Sequence, residues 1–119
     1  MRTNRPGAKF FPNSFLFLRF NQCFNNMFKT NEYFDGKVKS IALDSAEGTA
    51  TIGVMAKGEY EFGTSTIEVM TIISGKLTIQ LPGEKEWKTY KKFESFVVEK
   101  GIKFKVKCEE DTPYLCLYK

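Results

Sequence analysis

The sequence predicts an all-β domain, a single barrel or sandwich of short strands. Three observations carry this. Apolar residues alternate with polar ones: Leu77, Ile79 and Leu81 with Lys76, Thr78 and Gln80, and Phe104, Val106 and Cys108 with Lys103, Lys105 and Lys107. A period of 2 is that of a strand with one face buried. Turn signals recur at short intervals, at Asp44-Ser45-Ala46-Glu47-Gly48, Ala56-Lys57-Gly58, Ser74-Gly75 and Pro82-Gly83, and such punctuation of short β-prone runs marks a sandwich or closed barrel. No window sustains a helical period.

Residues 1–26 stand apart from the rest. They hold six of the chain's twelve phenylalanines with no clear period. Pro12, Asn13, Ser14 and Arg19 interrupt the apolar run. A signal peptide needs an unbroken apolar core and a small-residue cleavage site, and a membrane span needs roughly 20 apolar residues; the segment meets neither requirement. It is expected to be a disordered tail or an upstream extension of the reading frame, with one domain over 27–119. The alternative is an arm that packs on a partner through its phenylalanines. From Met27 the strands expected in order are 38–43, 49–55, 60–62, 67–73, 76–81, 87–90, 95–98, 102–108 and 113–118. The runs 67–73 and 76–81, joined at Ser74-Gly75, read as a hairpin.

Charge and cysteine content exclude some functions. The formal charge is +4, and Arg2, Arg5, Lys9 and Arg19 in the first 26 residues account for all of it. The remaining 14 basic residues equal the 14 acidic ones, so the domain lacks the basic stripe a nucleic-acid binder needs. Cys23, Cys108 and Cys116 form no CxxC pair. Cys108 and Cys116 alternate with apolar neighbours, which predicts buried free thiols and suits a reducing cytoplasm.

Glu68 stands seven residues before Gly75. This spacing resembles the end of the first motif of cupin barrels, where the glutamate points into the barrel beside two upstream histidines and helps hold a metal. Here the residues just upstream are Phe62, Gly63, Thr64, Ser65 and Thr66, and the chain has no histidine. The scaffold signal is present without the metal signal.

The resemblance narrows further. Asn31-Glu32-Tyr33-Phe34, Gly36-Lys37-Val38-Lys39-Ser40, Gly53-Val54-Met55, Gly58-Glu59-Tyr60, Met70-Thr71 with Ile73-Ser74-Gly75, and Tyr114-Leu115-Cys116 with Tyr118 occur in order. Together they resemble the small bacterial pyrimidine/purine nucleoside phosphorylases of the cupin superfamily, over about residues 30–119. The chain departs where that family carries Ala-Gly and then Pro in the late strands; Lys92-Phe93 and Glu99 stand there. The resemblance implies a cupin-like jelly-roll barrel and a cytoplasmic, metal-free enzyme. Its reaction splits nucleosides with inorganic phosphate, the co-substrate, into free base and ribose 1-phosphate. A homodimer paired through sheet edges follows by analogy with cupins.

Cleavage of an N-glycosidic bond passes through an oxocarbenium-like state, as in glycoside hydrolysis. It calls for an anion site, acceptors for ribose hydroxyls and a place for the base. From Met27 on there is no arginine, so lysine, hydroxyls and backbone N–H groups must hold phosphate. Lys37 and Lys39, read as sharing one face of the first strand, are the candidate cations, with an exposed edge protected by charge as the alternative. Thr64, Thr66 and Thr71 are candidate hydroxyl donors, or turn formers. Glu68, among Ile67, Val69 and Met70, is the candidate catalytic carboxylate, because a buried carboxylate is costly unless it is paired or functional; the alternative is a rim carboxylate paired with a lysine. Glu59 is the second candidate, or a surface residue. Tyr33, Tyr60, Tyr114 and Tyr118 offer rings to a base and hydroxyls for hydrogen bonds, or pack in the core. Two further readings stay open: a non-catalytic cupin module that binds a small polar metabolite, and a structural protein that assembles through its phenylalanine-rich segment.

Overall fold

Alternation along each strand decides which side chains meet in the middle. The computed structural model describes residues 27–119; the expectations for residues 1–26 and Cys23 lie outside them. Ten strands occur among the described residues: β1 (Thr30–Tyr33), β2 (Val38–Ser45), β3 (Gly48–Met55), β4 (Gly58–Gly63), β5 (Glu68–Ile72), β6 (Lys76–Gln80), β7 (Lys88–Lys91), β8 (Ser95–Val98), β9 (Lys103–Cys108) and β10 (Thr112–Tyr118). They form two antiparallel sheets, one in the order β4-β9-β6-β7 and the other β1-β2-β3-β10-β5-β8. Inward residues of both sheets make one core, including Val38, Met55, Met70, Ile72, Leu77, Ile79, Phe96, Phe104 and Val106. Cys108 and Cys116 are free and buried, as the alternation predicts. No helix among the described residues is long and apolar enough to cross a membrane.

Two expectations are corrected. The runs around Ser74-Gly75 do not form a hairpin. β5 lies between β10 and β8 in the six-stranded sheet, and β6 lies in the other sheet. Both ladder edges of β5 are already taken, by Tyr118↔Glu68 on one side and Glu68↔Val98 on the other. The turn therefore carries the chain across the core, with the Ile73 N–H donating to the Pro113 carbonyl at 3.0 Å. Gly75 allows this crossing with φ +77°, and a Cβ there would stand 3.0 Å from Glu110 Oε2 and 3.1 Å from Thr112 Oγ1. The second correction is β1. Thr-Asn-Glu-Tyr has no apolar alternation of its own, and the strand exists by pairing with β2, Asn31 opposite Ser40 and Tyr33 opposite Val38. Lys37 consequently sits in the turn before β2 and not on a strand face with Lys39.

One turn departs from its best residue. The Glu94 N–H donates to the Lys91 carbonyl, and Phe93, 69% exposed, takes φ +67° where the resembled family carries glycine. A left-handed conformation costs an L-residue roughly 1–2 kcal/mol, against roughly 0.5–1 kcal/mol for the extra freedom of glycine in the unfolded chain. Phe93→Gly is therefore expected to raise Tm by a few degrees in a thermal melt, and an unchanged or lower Tm would show that the exposed ring contributes to the fold.

Candidate functional site

The inner face of the six-stranded sheet carries most of the polar groups that meet inside. On β10 the inward residues are Thr112, Tyr114, Cys116 and Tyr118; on β5 they are Glu68, Met70 and Ile72. Cross-strand register sets Tyr118 opposite Glu68, and Tyr114 opposite Gly53 of β3, which faces Ser40 of β2. These rows bound a partly open cavity of about 140 Å³. Its polar wall is Ser40, Glu68, Tyr114, Cys116 and Tyr118; its apolar wall is Met55, Met70, Phe62 and Phe104; Tyr33 and Gly63 complete the lining. Phe62 and Phe104 lie with ring centroids 5.8 Å apart.

Two hydrogen-bonded chains organise the polar wall. The Cys116 thiol donates to Glu68 Oε1 at 3.6 Å, and Thr51 and Tyr118 share a hydroxyl hydrogen bond of 2.9 Å. Asn31 Nδ2 donates to Ser40 Oγ at 3.2 Å, and Ser40 is in turn hydrogen-bonded to the Tyr114 phenol. Glycine at position 53 makes room for that phenol: a Cβ there would stand 2.5 Å from Tyr114 Cζ and Oη.

Burial sets the protonation states. It pushes the Tyr114 phenol up to about 12, with the charges of Cys116, Tyr33 and Glu68 adding to the effect. Burial and then the Glu68 charge push the Cys116 thiol to about 12, and burial raises Tyr118 as well. All three are hydrogen-bond donors near neutral pH. Among the described residues Glu68 is the single carboxylate in the lining. Burial raises its pKa, and the bond from Cys116 opposes that rise. Among the described residues no lysine or arginine lines the cavity.

Of the residues singled out in the sequence, Glu68, Tyr114, Tyr118 and Tyr33 come together here. The others have different surroundings. Tyr60 is buried, stacks 4.9 Å from Phe34 and donates to the Ala56 carbonyl at 2.6 Å. Glu59 is exposed on the outer side of β4, opposite Lys107. Lys39 points outward and stands 3.8 Å from Glu32. Thr64 is buried as a staple, donating to the Glu99 carbonyl at 2.7 Å and accepting from the Ile102 N–H at 3.2 Å. Thr71 shares a 2.6 Å hydrogen bond with Ser95 away from the cavity. Thr66 Oγ1 is buried without a partner and borders a separate groove with Ser65, Lys100 and Lys119. Ser40, Gly53 and Thr51 were missed as site residues. The parity of Ser40 with buried Val38 was legible; the roles of Gly53 and Thr51 depend on cross-strand neighbours.

The sequence pattern of the pyrimidine/purine nucleoside phosphorylases matches residues 28–118. The chain belongs to this family. A pyrimidine/purine nucleoside phosphorylase of Pseudomonas aeruginosa is 57% identical over 93 residues, 78% of this chain and all of the relative's length. One from Pseudoalteromonas atlantica is 54% identical over 92 residues, 77% of this chain and 99% of its own. Among solved structures, a protein of unknown function from Vibrio parahaemolyticus is 41% identical with TM-score 0.75, covering 77% of this chain and 98% of that one. The EutQ protein of Clostridium difficile, 17% identical with TM-score 0.57 over 66% of this chain and 64% of its own, shares the fold alone. The fold is the all-β, cupin-like one that the family resemblance implied.

Proposed function

We propose that this chain is a cytoplasmic nucleoside phosphorylase. It converts diverse purine and pyrimidine nucleosides and inorganic phosphate, reversibly, into free base and α-D-ribose 1-phosphate, with no metal or organic cofactor. Membership of the family supports the reaction class. The observation that carries the site is one half-buried carboxylate, Glu68, facing a cavity whose other polar groups are all neutral donors. At about 140 Å³ the cavity is smaller than the roughly 300–1,000 Å³ of sites that enclose a whole drug-sized ligand. That suits a ribose inside, with base and phosphate at the mouth. Ionised Glu68 accepts the ribose hydroxyls and stabilises the positive charge that grows on the sugar. Tyr114 and Tyr118 donate to sugar oxygens, and the Phe62 and Tyr33 rings pack on the base. Lys37, in the turn that follows Tyr33, is the cation assigned to phosphate.

The test is base release from several nucleosides with and without phosphate. Phosphate-dependent release that survives a chelator is expected, with Lys37→Ala raising the KM for phosphate. Equal release without phosphate would make the enzyme a hydrolase. A lining with no cation among the described residues favours a second reading, a non-catalytic module for a neutral polar metabolite, and no turnover of any nucleoside would decide for it.

A further inference from the structure

The two buried thiols among the described residues are held differently. Cys108 donates to the Glu110 carbonyl at 2.9 Å and lines no part of the cavity. It is a core thiol satisfied by backbone. Cys116 is equally buried, yet it lines the cavity and donates to a carboxylate. In register it stands on β10 between Thr51 of β3 and Met70 of β5. Glu68, opposite Tyr118, is its diagonal neighbour. Diagonal neighbours on one sheet face are within reach of a long side chain, and Glu68 Oε1 comes to 3.6 Å from Cys116 Sγ. Among the described residues this is the one hydrogen bond made to the Glu68 side chain, and no cation pairs with it. Tyr118 stands behind the thiol, hydrogen-bonded both to it and to Thr51. The titratable groups that share the cavity with Glu68 are Tyr114, Cys116 and Tyr118 of β10 and Tyr33 of β1, phenols and a thiol with no second carboxylate. From β8 the residue opposite Glu68 is Val98.

We infer that Cys116 is a positioning residue of this site: its thiol pins one oxygen of the Glu68 carboxylate and so presents the other to the ligand. The inference rests on the functional reading above, in which that carboxylate meets the sugar. A glutamate side chain turns about several bonds, and freezing it when the ligand arrives costs entropy. A group already held in its working geometry avoids that cost at the moment of reaction. A carboxylate accepts at both oxygens, and among the described residues Oε2 takes no hydrogen bond. The choice of a thiol has a physical reason. A lysine or arginine would aim Glu68 as well, but would offset the negative charge that the sugar needs as its positive charge grows. A thiol is a weak donor, so it orients the carboxylate and leaves most of the charge free. Its bond also opposes the effect of burial, which by itself favours the protonated acid. Loss of the thiol proton should therefore move Glu68 ionisation to higher pH.

The test uses the full chain, with a cooperative melt required of each variant. Two quantities are read: the titration of Glu68 by carboxyl 13C NMR, which needs no substrate, and kcat for phosphate-dependent base release across pH. Cys116→Ala removes the donor. The Glu68 titration and the acid limb of kcat should both move to higher pH. At neutral pH kcat should fall by about 10-fold, the lower end of what a hydrogen bond to a charged group contributes, with KM for the nucleoside changed less. Cys116→Ser keeps a donor; both midpoints should stay at or below those of the wild type, and most of kcat should return. Cys108→Ser, at the thiol outside the cavity, should leave both quantities in place. In the Glu68→Gln background Cys116→Ala should cost nothing further, as expected of residues that act through one another. Unmoved midpoints in Cys116→Ala, or the same rise in both Cys116 variants, would assign the thiol to space-filling and overturn the inference. A fully additive loss in the double variant would overturn it too. Failure of the functional reading looks different: Glu68→Gln would then turn over like the wild type, and the inference would fall with that reading.

Discussion

Glu68→Gln is expected to lower kcat by roughly 100-fold or more, the scale of one lost electrostatic stabiliser, with the fold intact. Glutamine keeps the shape of the side chain and can still accept from the Cys116 thiol, now 3.6 Å from Oε1; it cannot offset positive charge on the sugar. The same substitution carries a stability signature. Burial raises the Glu68 pKa in the folded protein, so the protonated acid is the better tolerated form. Its favourable contribution is complete below the ordinary glutamate range and is lost as pH rises through the raised folded value. Near neutral pH the glutamine variant should therefore melt higher than the wild type, and the gap should close toward acid. Activity of the wild type should fall on acidification with a midpoint above that of an ordinary glutamate. Melts and kcat across pH 4–8 check both. Near wild-type turnover in the variant would remove Glu68 from the site while leaving the reaction class standing.

Gly53→Ala is expected to cost about 3 kcal/mol or more, from overpacking together with a displaced buried phenol. In a domain of this size that is a fall in Tm of more than about 10 °C. The added methyl would stand 2.5 Å from Tyr114 Cζ and Oη and 2.8 Å from the Lys39 carbonyl. The backbone has nowhere to retreat, since Gly53 is paired with Ser40 on one side and Tyr114 on the other. The ring must swing out, taking with it the bond to Ser40 and one wall of the cavity. Tyr114→Leu in the same chain should restore part of the loss, a coupling expected of residues in contact. Strict additivity of the two substitutions in a double-mutant cycle would show that the methyl meets something other than the ring.

The parts of this molecule legible in the sequence are those that depend on near neighbours. Strand parity placed Phe104 and Val106 inward and their lysines outward, put Tyr114, Cys116 and Tyr118 on one face, and marked Glu68 as a carboxylate among apolar residues. The turns at Gly48, Gly58 and Gly75 were equally local, because a positive φ is a property of one residue. What only the tertiary structure decided concerns pairings between residues far apart in the chain. The 67–81 segment reads as a hairpin until Pro113, some 40 residues on, takes the Ile73 N–H and sends β6 to the other sheet. Thr64 and Thr71 look like free hydroxyls until Glu99 and Ser95 engage them. Lys39 reads as an anion ligand until β2 turns it outward toward Glu32. Gly53 carries no signal of its own; its importance comes from the tyrosine ring laid across it from β10. Periodicity reports which way a side chain faces relative to its own backbone, and the register between distant strands determines what it meets there.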